Sequence, residues 1–115
     1  MDVNAEAEKA LQKCGYSVVF QYPQCFSKLP VVSFYTVREQ GSVSFDNKEV
    51  YRDGTVAVDI WAKNPKTCCT AYGKVREAML SDGWEEMFSS DVPRGSRDVY
   101  HRTAQFIKSF YISQD

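Results

Sequence analysis

The chain has 115 residues, a length typical of one domain with a single hydrophobic core, and we predict one domain over residues 1–115. Its hydrophobic fraction of 43% and aromatic fraction of 14% exclude a disordered chain. With 14 basic and 15 acidic residues the net charge is −1, which argues against specific nucleic-acid binding because such proteins carry a clear basic excess.

The sequence carries no signal for a membrane or for secretion. No apolar run approaches the ~18 residues that a membrane span needs, and the N-terminal stretch MDVNAEAEKA lacks the features of a signal peptide. We therefore expect synthesis in a cytoplasm and no membrane partner.

Four cysteines, Cys14, Cys25, Cys68 and Cys69, form no C-x-x-C motif. We expect them to be reduced and mostly buried, and we expect neither a metal nor a cofactor.

The first predicted elements are a helix and two strands. Residues 4–14 carry apolar side chains at helical spacing, with Asn4 as the N-cap and Gly15 as a left-handed C-terminal cap. Residues 16–22 (YSVVFQY) and 31–37 (VVSFYTV) are rich in β-branched and aromatic residues. This composition favours two strands.

The middle of the chain is less regular. Residues 38–50 (REQGSVSFDNKEV) are mostly polar and fit either a long loop or an extension of a β-hairpin. Asp53–Gly54 is typical of a turn. Residues 55–63 (TVAVDIWAK) then form the clearest strand, and apolar residues on both faces predict a central place in the sheet. Asp59 interrupts this strand, and we expect it to be exposed on an open sheet face or paired with an arginine across a subunit boundary.

A helix and a hairpin complete the pattern. Residues 65–82 have helical periodicity and begin after the N-cap Asn64. Gly73 lies within this helix, where it is either a tolerated cost of about 0.5–1 kcal/mol or permits close approach of another backbone. Residues 84–92 and 99–112 are predicted to pair as a hairpin. The order α-β-β-β-α-β-β favours an α+β fold with a single, mostly antiparallel sheet of four to five strands and two helices packed on one face.

The sequence contains no pattern typical of a catalytic site. Phosphate-binding and nucleophile motifs are missing. The single histidine, His101, is the one candidate base for a reactive cysteine, and we interpret it as an ordinary strand residue. Basic and aromatic residues alternate near the end of the chain, but Asp91 and Asp98 dilute the charge, so a solvated hairpin is favoured over DNA binding. We predict that the protein is not an enzyme.

The order and spacing of these elements resemble the small tail-terminator and tail-completion proteins of long-tailed bacteriophages and prophages. The resemblance covers nearly the whole chain and rests on Leu29–Pro30 before a strand, the turn Trp61–Ala62–Lys63–Asn64, the helix from Pro65, and the final RTAQFIKSFYI. It implies a structural role in the virion, as a ring, commonly a hexamer, that stops polymerisation of the tail tube and forms the head–tail joining surface. It also implies a tail-tube protein and a head-side connector protein as partners, and a subunit that can be monomeric before assembly.

Two alternatives remain beside this interpretation, another phage neck or connector protein and a small α/β protein-interaction module unrelated to phage. For all three, we expect contact surfaces in residues 38–50 and in the turn of the final hairpin, because mobile polar segments suit ordering against a partner. The predicted contact residues are Arg38, Glu39, Phe45, Asp46, Lys48, Glu49, Arg94 and Arg97.

Overall fold

The computed structural model describes residues 2–43, 49–93 and 98–111. Within these ranges the elements are α1 (Val3–Leu11), β1 (Ser17–Phe20), β2 (Val31–Val43), β3 (Glu49–Ala62), α2 (Pro65–Ser81), β4 (Glu85–Val92) and β5 (Tyr100–Tyr111), with a short 3-10 helix at Gln12–Cys14. This order confirms the predicted sequence of helices and strands.

The strands form one five-stranded sheet in the order β1-β2-β3-β5-β4. The pairs β2–β3, β3–β5 and β4–β5 are antiparallel, whereas β1 runs parallel to β2. The sheet is therefore mixed, and the prediction of a mostly antiparallel sheet is confirmed with one parallel pair at an edge. Strand β3 is central, as its two apolar faces predicted.

Both helices cover one face of this sheet. The buried cluster there joins side chains of β2, β3 and β5 to α1 and α2. Its largest fully buried members are Trp84, Phe34, Phe106, Leu11, Ile60 and Met79. Each aliphatic or aromatic side chain buried in this way contributes roughly 1.5–3 kcal/mol. We call the opposite face, which neither helix covers, the open face.

The first helix begins earlier than predicted. Asp2, not Asn4, is the N-cap, and its carboxylate accepts a hydrogen bond from the backbone N–H of Ala5. The reason is that Val3 is buried against the sheet and belongs to the apolar side of the helix. Asn4 instead accepts a hydrogen bond from the Thr36 hydroxyl at 2.6 Å. Gly15 has φ of 87°, which confirms its role after the last turn.

Asp53–Gly54 does not form the predicted turn. Both residues lie inside β3, where Gly54 pairs with Glu39 on one side and Lys108 on the other. A Cβ atom at Gly54 would lie 2.7 and 2.8 Å from the two methyl carbons of Val3. Glycine at this position therefore permits close packing of α1 on the sheet. At Gly73 a Cβ would meet nothing within 4 Å in the described chain, which agrees with a tolerated cost and not with close approach inside the chain.

The polar segment extends a hairpin, which is one of its two predicted interpretations. Strand β2 continues to Val43 and β3 begins at Glu49, so together they form a long antiparallel ribbon. A register shift between Thr36 and Arg38 marks a bulge where the ribbon leaves the region under the helices. The molecule is elongated as a result, with extents of 53 × 25 × 23 Å.

The second helix matches its prediction closely. Its N-cap is Asn64, whose side chain accepts a hydrogen bond from the N–H of Thr67 at 2.8 Å. Pro65 occupies the first turn, where a missing N–H costs no hydrogen bond. Neither helix in the part of the chain described has the length and apolar character of a transmembrane segment.

The contact between α1 and β3 can be tested by filling the space at Gly54. Gly54→Ala is expected to lower the free energy of unfolding by about 1–3 kcal/mol, because the stiff Val3 side chain must move. Urea denaturation measures this change. Gly73→Ala is the matched control, and it should leave stability unchanged or raise it by up to about 1 kcal/mol. Equal stability of Gly54→Ala and the wild type would contradict the proposed contact.

Candidate protein-interaction surfaces

The open face of the sheet carries large hydrophobic side chains that are exposed. They are Tyr35, Val37, Tyr51, Met87, Phe88 and Tyr111, with exposed fractions from 42% to 71%. The strand registers place these residues on the side opposite the helices. Soluble monomers rarely expose contiguous apolar patches of large size. This face is therefore a candidate interface.

Two bulges form a groove in the open face. The bulge at Val37 follows Thr36 in β2, and the bulge at Met87 follows Glu86 in β4. Across the sheet, one row of paired residues runs Thr36, Val56, Phe106, Glu86, so both bulges adjoin the same row. Val37 and Met87 line a groove of about 250 Å³ whose other lining residues include Thr55, Gln105, Ile107, Arg38 and Asp53. Bulges redirect side chains in this way next to functional surfaces.

Two of the predicted contact residues lie on the β2–β3 ribbon. Arg38 is exposed and lines the groove, and its guanidinium donates a hydrogen bond to the Gln40 side chain. Glu39 faces the other side of the ribbon, where its carboxylate is 2.8 Å from Nε of Arg52. An exposed ion pair of this kind contributes about 0.2–1 kcal/mol. Arg38 and Glu39 can therefore exchange these contacts for contacts with another molecule at little cost to folding.

The other predicted contact residues do not all fall in the same place. Glu49 starts β3 and pairs with Val43 in the ribbon. Phe45, Asp46, Lys48, Arg94 and Arg97 lie outside the described residues. Val92 and Tyr100, which flank the turn of the final hairpin, lie at the end of the sheet opposite the ribbon. The fold thus places Arg38, Glu39 and Glu49 on the ribbon, at the other end of the sheet from Val92 and Tyr100.

A part-buried pair that sequence reasoning missed lies at that opposite end of the open face. Asp59 is only 8% exposed, and its Oδ1 lies 2.6 Å from Nε2 of His101. The expectation of an exposed carboxylate was wrong, and within the chain the partner of Asp59 is a histidine. The two residues are 42 positions apart, and the register of β3 against β5 brings them together.

Aromatic side chains cover this pair. The Trp61 ring stacks on the His101 ring with centroids 3.7 Å apart, and the indole N–H donates to the Ser33 hydroxyl at 3.0 Å. Tyr22 and Phe26, from the loop between β1 and β2, each pack on Trp61 at 5.1 Å. Aromatic pairs of this kind contribute about 0.5–1.5 kcal/mol beyond their burial. The cluster holds the loop against the sheet.

The geometry around the histidine does not favour cysteine catalysis. Cys68 and Cys69 share a cavity of about 450 Å³ with His101. Burial raises the pKa of the Cys68 thiol, which keeps it protonated at neutral pH. Its sulfur lies 3.9 Å from the carbonyl oxygen of Ile60, and Nε2 of the imidazole is bound to Asp59. The imidazole therefore links β5 to β3 through Asp59 and is not placed to activate a thiol.

The cysteines are divided between the interior and the surface, and in the described residues they form no metal-binding cluster. Cys14 is buried like Cys68, whereas Cys25 and Cys69 are exposed, so the expectation of mostly buried cysteines holds for two of the four. Across residues 2–43, 49–93 and 98–111 there is no cluster of three His, Cys, Asp or Glu side chains that could hold a metal ion.

The fold has a counterpart among solved structures. A chain from a structure described as "Virion of native gene transfer agent (GTA) particle" is similar to this chain with a TM-score of 0.69. The similarity covers 91% of each chain at 13% sequence identity, and at that identity it shows a shared fold. No protein-family model matches the sequence, and no curated protein does.

The contact between Asp59 and His101 gives a prediction for stability. His101→Ala leaves a buried carboxylate without its partner and removes the ring beneath Trp61, so the free energy of unfolding should fall by about 1–3 kcal/mol in urea denaturation. His101→Gln retains a donor for Asp59 and should recover part of this loss. Full stability of His101→Ala would show that the pair does not hold the sheet.

Proposed function

We propose that this chain is a structural protein of a phage-like virion, and specifically a tail-terminator subunit. In this role it forms a ring at the end of the tail tube, stops tube polymerisation and presents the head–tail joining surface. The supporting observation is the shared fold with a chain of a gene transfer agent virion, which extends over 91% of both chains. The order of sequence elements, which resembles tail-terminator proteins, supports the same assignment.

The geometry of the subunit suits a ring. A ring subunit needs two different surfaces that complement each other, because its contacts run head to tail and must close. This chain has an exposed apolar open face, two sheet edges of different strands, and a ribbon that carries Arg38 and Glu39. The β1 and β4 edges lie on opposite sides of the sheet, and Glu39 points away from the open face, so a subunit can contact neighbours and tail proteins at the same time.

The polar cluster also agrees with a structural role. His101 is engaged by Asp59 and stacked under Trp61, and the Cys68 thiol stays protonated because burial raises its pKa. The Asp59–His101 contact links β3 to β5, and Trp61 joins this pair to the loop. A tail-terminator requires shape and contacts and needs no reacting side chain.

A second candidate is a different neck protein between head and tail. The similar chain comes from a whole virion, so the shared fold supports this position as well. Cross-linking in purified particles separates the two candidates. A tail-terminator should cross-link to the tail-tube protein, whereas a neck protein nearer the head should cross-link only to head-side connector proteins.

Deleting the gene from a phage or prophage that encodes this chain tests the proposed function. We expect overlong tails or tails without heads in electron micrographs, because tube growth is no longer stopped. Supplying the wild-type chain from a plasmid should restore normal particles. Normal virions in the deletion strain would rule out a tail-terminator.

The ribbon gives a prediction about assembly. Arg38→Glu should change the free energy of unfolding by no more than about 0.5 kcal/mol, because the residue is exposed. Incorporation into tails should fall about tenfold or more, which corresponds to a loss of ~1.4 kcal/mol at the contact. Lys74→Glu makes the same charge change on the outer side of α2 and should assemble normally. Loss of the folded monomer in Arg38→Glu, or normal incorporation, would contradict this role of the ribbon.

A further inference from the structure

The two edges of the sheet differ in shape. Beside the edge strand β1 lies an open cavity of about 470 Å³, and its lining includes Val19, Phe20, Tyr22, Pro23, Val31 and Lys28. At the opposite edge, the bulge in β4 exposes Met87 and Phe88, at 52% and 47%. Ser17, Gln24 and Ser27 also line this cavity, so one edge is a recess of mixed polar and apolar character and the other edge carries an apolar projection.

The two edges also differ in charge. Residues 17–31, which form β1, the loop and the start of β2, contain Lys28 and no acidic residue. Strand β4 contains Glu85, Glu86 and Asp91 and no basic residue. Of these acids, Glu86 contacts Arg76 and Asp91 contacts Arg102 inside the chain, whereas Glu85 is exposed. The apolar and charged features of one edge therefore complement those of the other.

We propose that Met87 and Phe88 of one copy insert into the cavity beside β1 of a second copy, with Lys28 of the second copy facing Glu85 of the first. The occupant of the cavity is thus another copy of this chain. This inference rests on the proposed function, because it names the surfaces through which ring subunits contact each other. Since the two surfaces lie on opposite edges, the contact runs head to tail and can close into a ring.

The proposed contact would also limit uncontrolled association at the free edges of the sheet. Within the described chain, β1 and β4 are each hydrogen-bonded on one side only. Free strand edges with exposed apolar side chains favour uncontrolled association. A bulge in β4 and a β1 of only four residues restrict such pairing. The proposed contact uses side chains that fit a recess, so association is directed to one geometry.

Cysteine cross-linking in the full chain tests this contact. Cys25 is a native exposed thiol that lines the cavity, and hydrogen bonding from Ser27 lowers its pKa, which favours reaction. Ser90→Cys adds a thiol to β4 while Met87 and Phe88 stay in place, and Cys69→Ser removes the other exposed native thiol. With a short bismaleimide reagent, concentrated protein and isolated tails should give a ladder of covalent oligomers, because each copy carries both reactive positions.

Matched variants separate this contact from chance collisions. Cys25→Ser should abolish the ladder, and Lys74→Cys, on the outer side of α2, should not produce one in place of Ser90→Cys. Lys28→Glu or Glu85→Lys alone should reduce the yield about tenfold, as expected for loss of ~1.4 kcal/mol at the contact, and the two changes together should restore it. Failure of the double variant to restore cross-linking would overturn the pairing of Lys28 with Glu85.

The outcome is independent of the tail phenotype. Absence of a ladder from isolated tails would overturn the contact, even where gene deletion gives overlong tails and the proposed function stands. A ladder from purified protein together with normal virions after deletion would support the contact and overturn the tail-terminator role. Products that stop at the dimer would show a symmetric contact and would also overturn the inference.

Discussion

The structure depends on the central strand β3, which is hydrogen-bonded to β2 and β5 and carries α1 and α2 on one face. Residues 55–62 of this strand are all buried, and α1 reaches the sheet because Gly54 leaves room for Val3. Both helices lie on the same face, and among the described residues the other face is covered by the loop between β1 and β2 alone. The hydrophobic core therefore lies on one side of the sheet, and the other side presents an apolar surface.

The open face divides into two parts with different roles. At one end, the loop packs Tyr22 and Phe26 on Trp61, and the Asp59–His101 pair lies beneath this aromatic layer. This end is closed and contributes to stability. Toward the ribbon, Val37 and Met87 flank a groove that nothing in the described chain fills. That end is available for contacts, which is what a subunit of a larger assembly requires.

Local signals allowed much of the fold to be predicted. The helix α2 was predicted accurately because its cap, its first proline and its apolar periodicity all lie within one short stretch. Asp53–Gly54 was misread because the same dipeptide serves in turns and at points of close approach, and only the position of Val3 distinguishes them. The parallel pairing of β1 with β2 and the bulges also escaped prediction, since they depend on contacts between distant parts of the chain.

The candidate surfaces were predicted only in part, for the same reason. Arg38 and Glu39 could be chosen because a polar segment between strands is exposed in most folds. Tyr35 and Val37 could only be assigned to a strand, because a strand rich in apolar side chains does not reveal which face the helices cover. The Asp59–His101 pair needed the register of two strands, which no spacing in the sequence provides.

We propose that this chain is a structural component of a virion at the junction of head and tail. Cryo-electron microscopy of purified particles tests it most directly, because the elongated five-stranded fold is recognisable in density. The account predicts a ring of this fold at the end of the tail tube that faces the head. Particles that lack this chain at the junction between head and tail would contradict it.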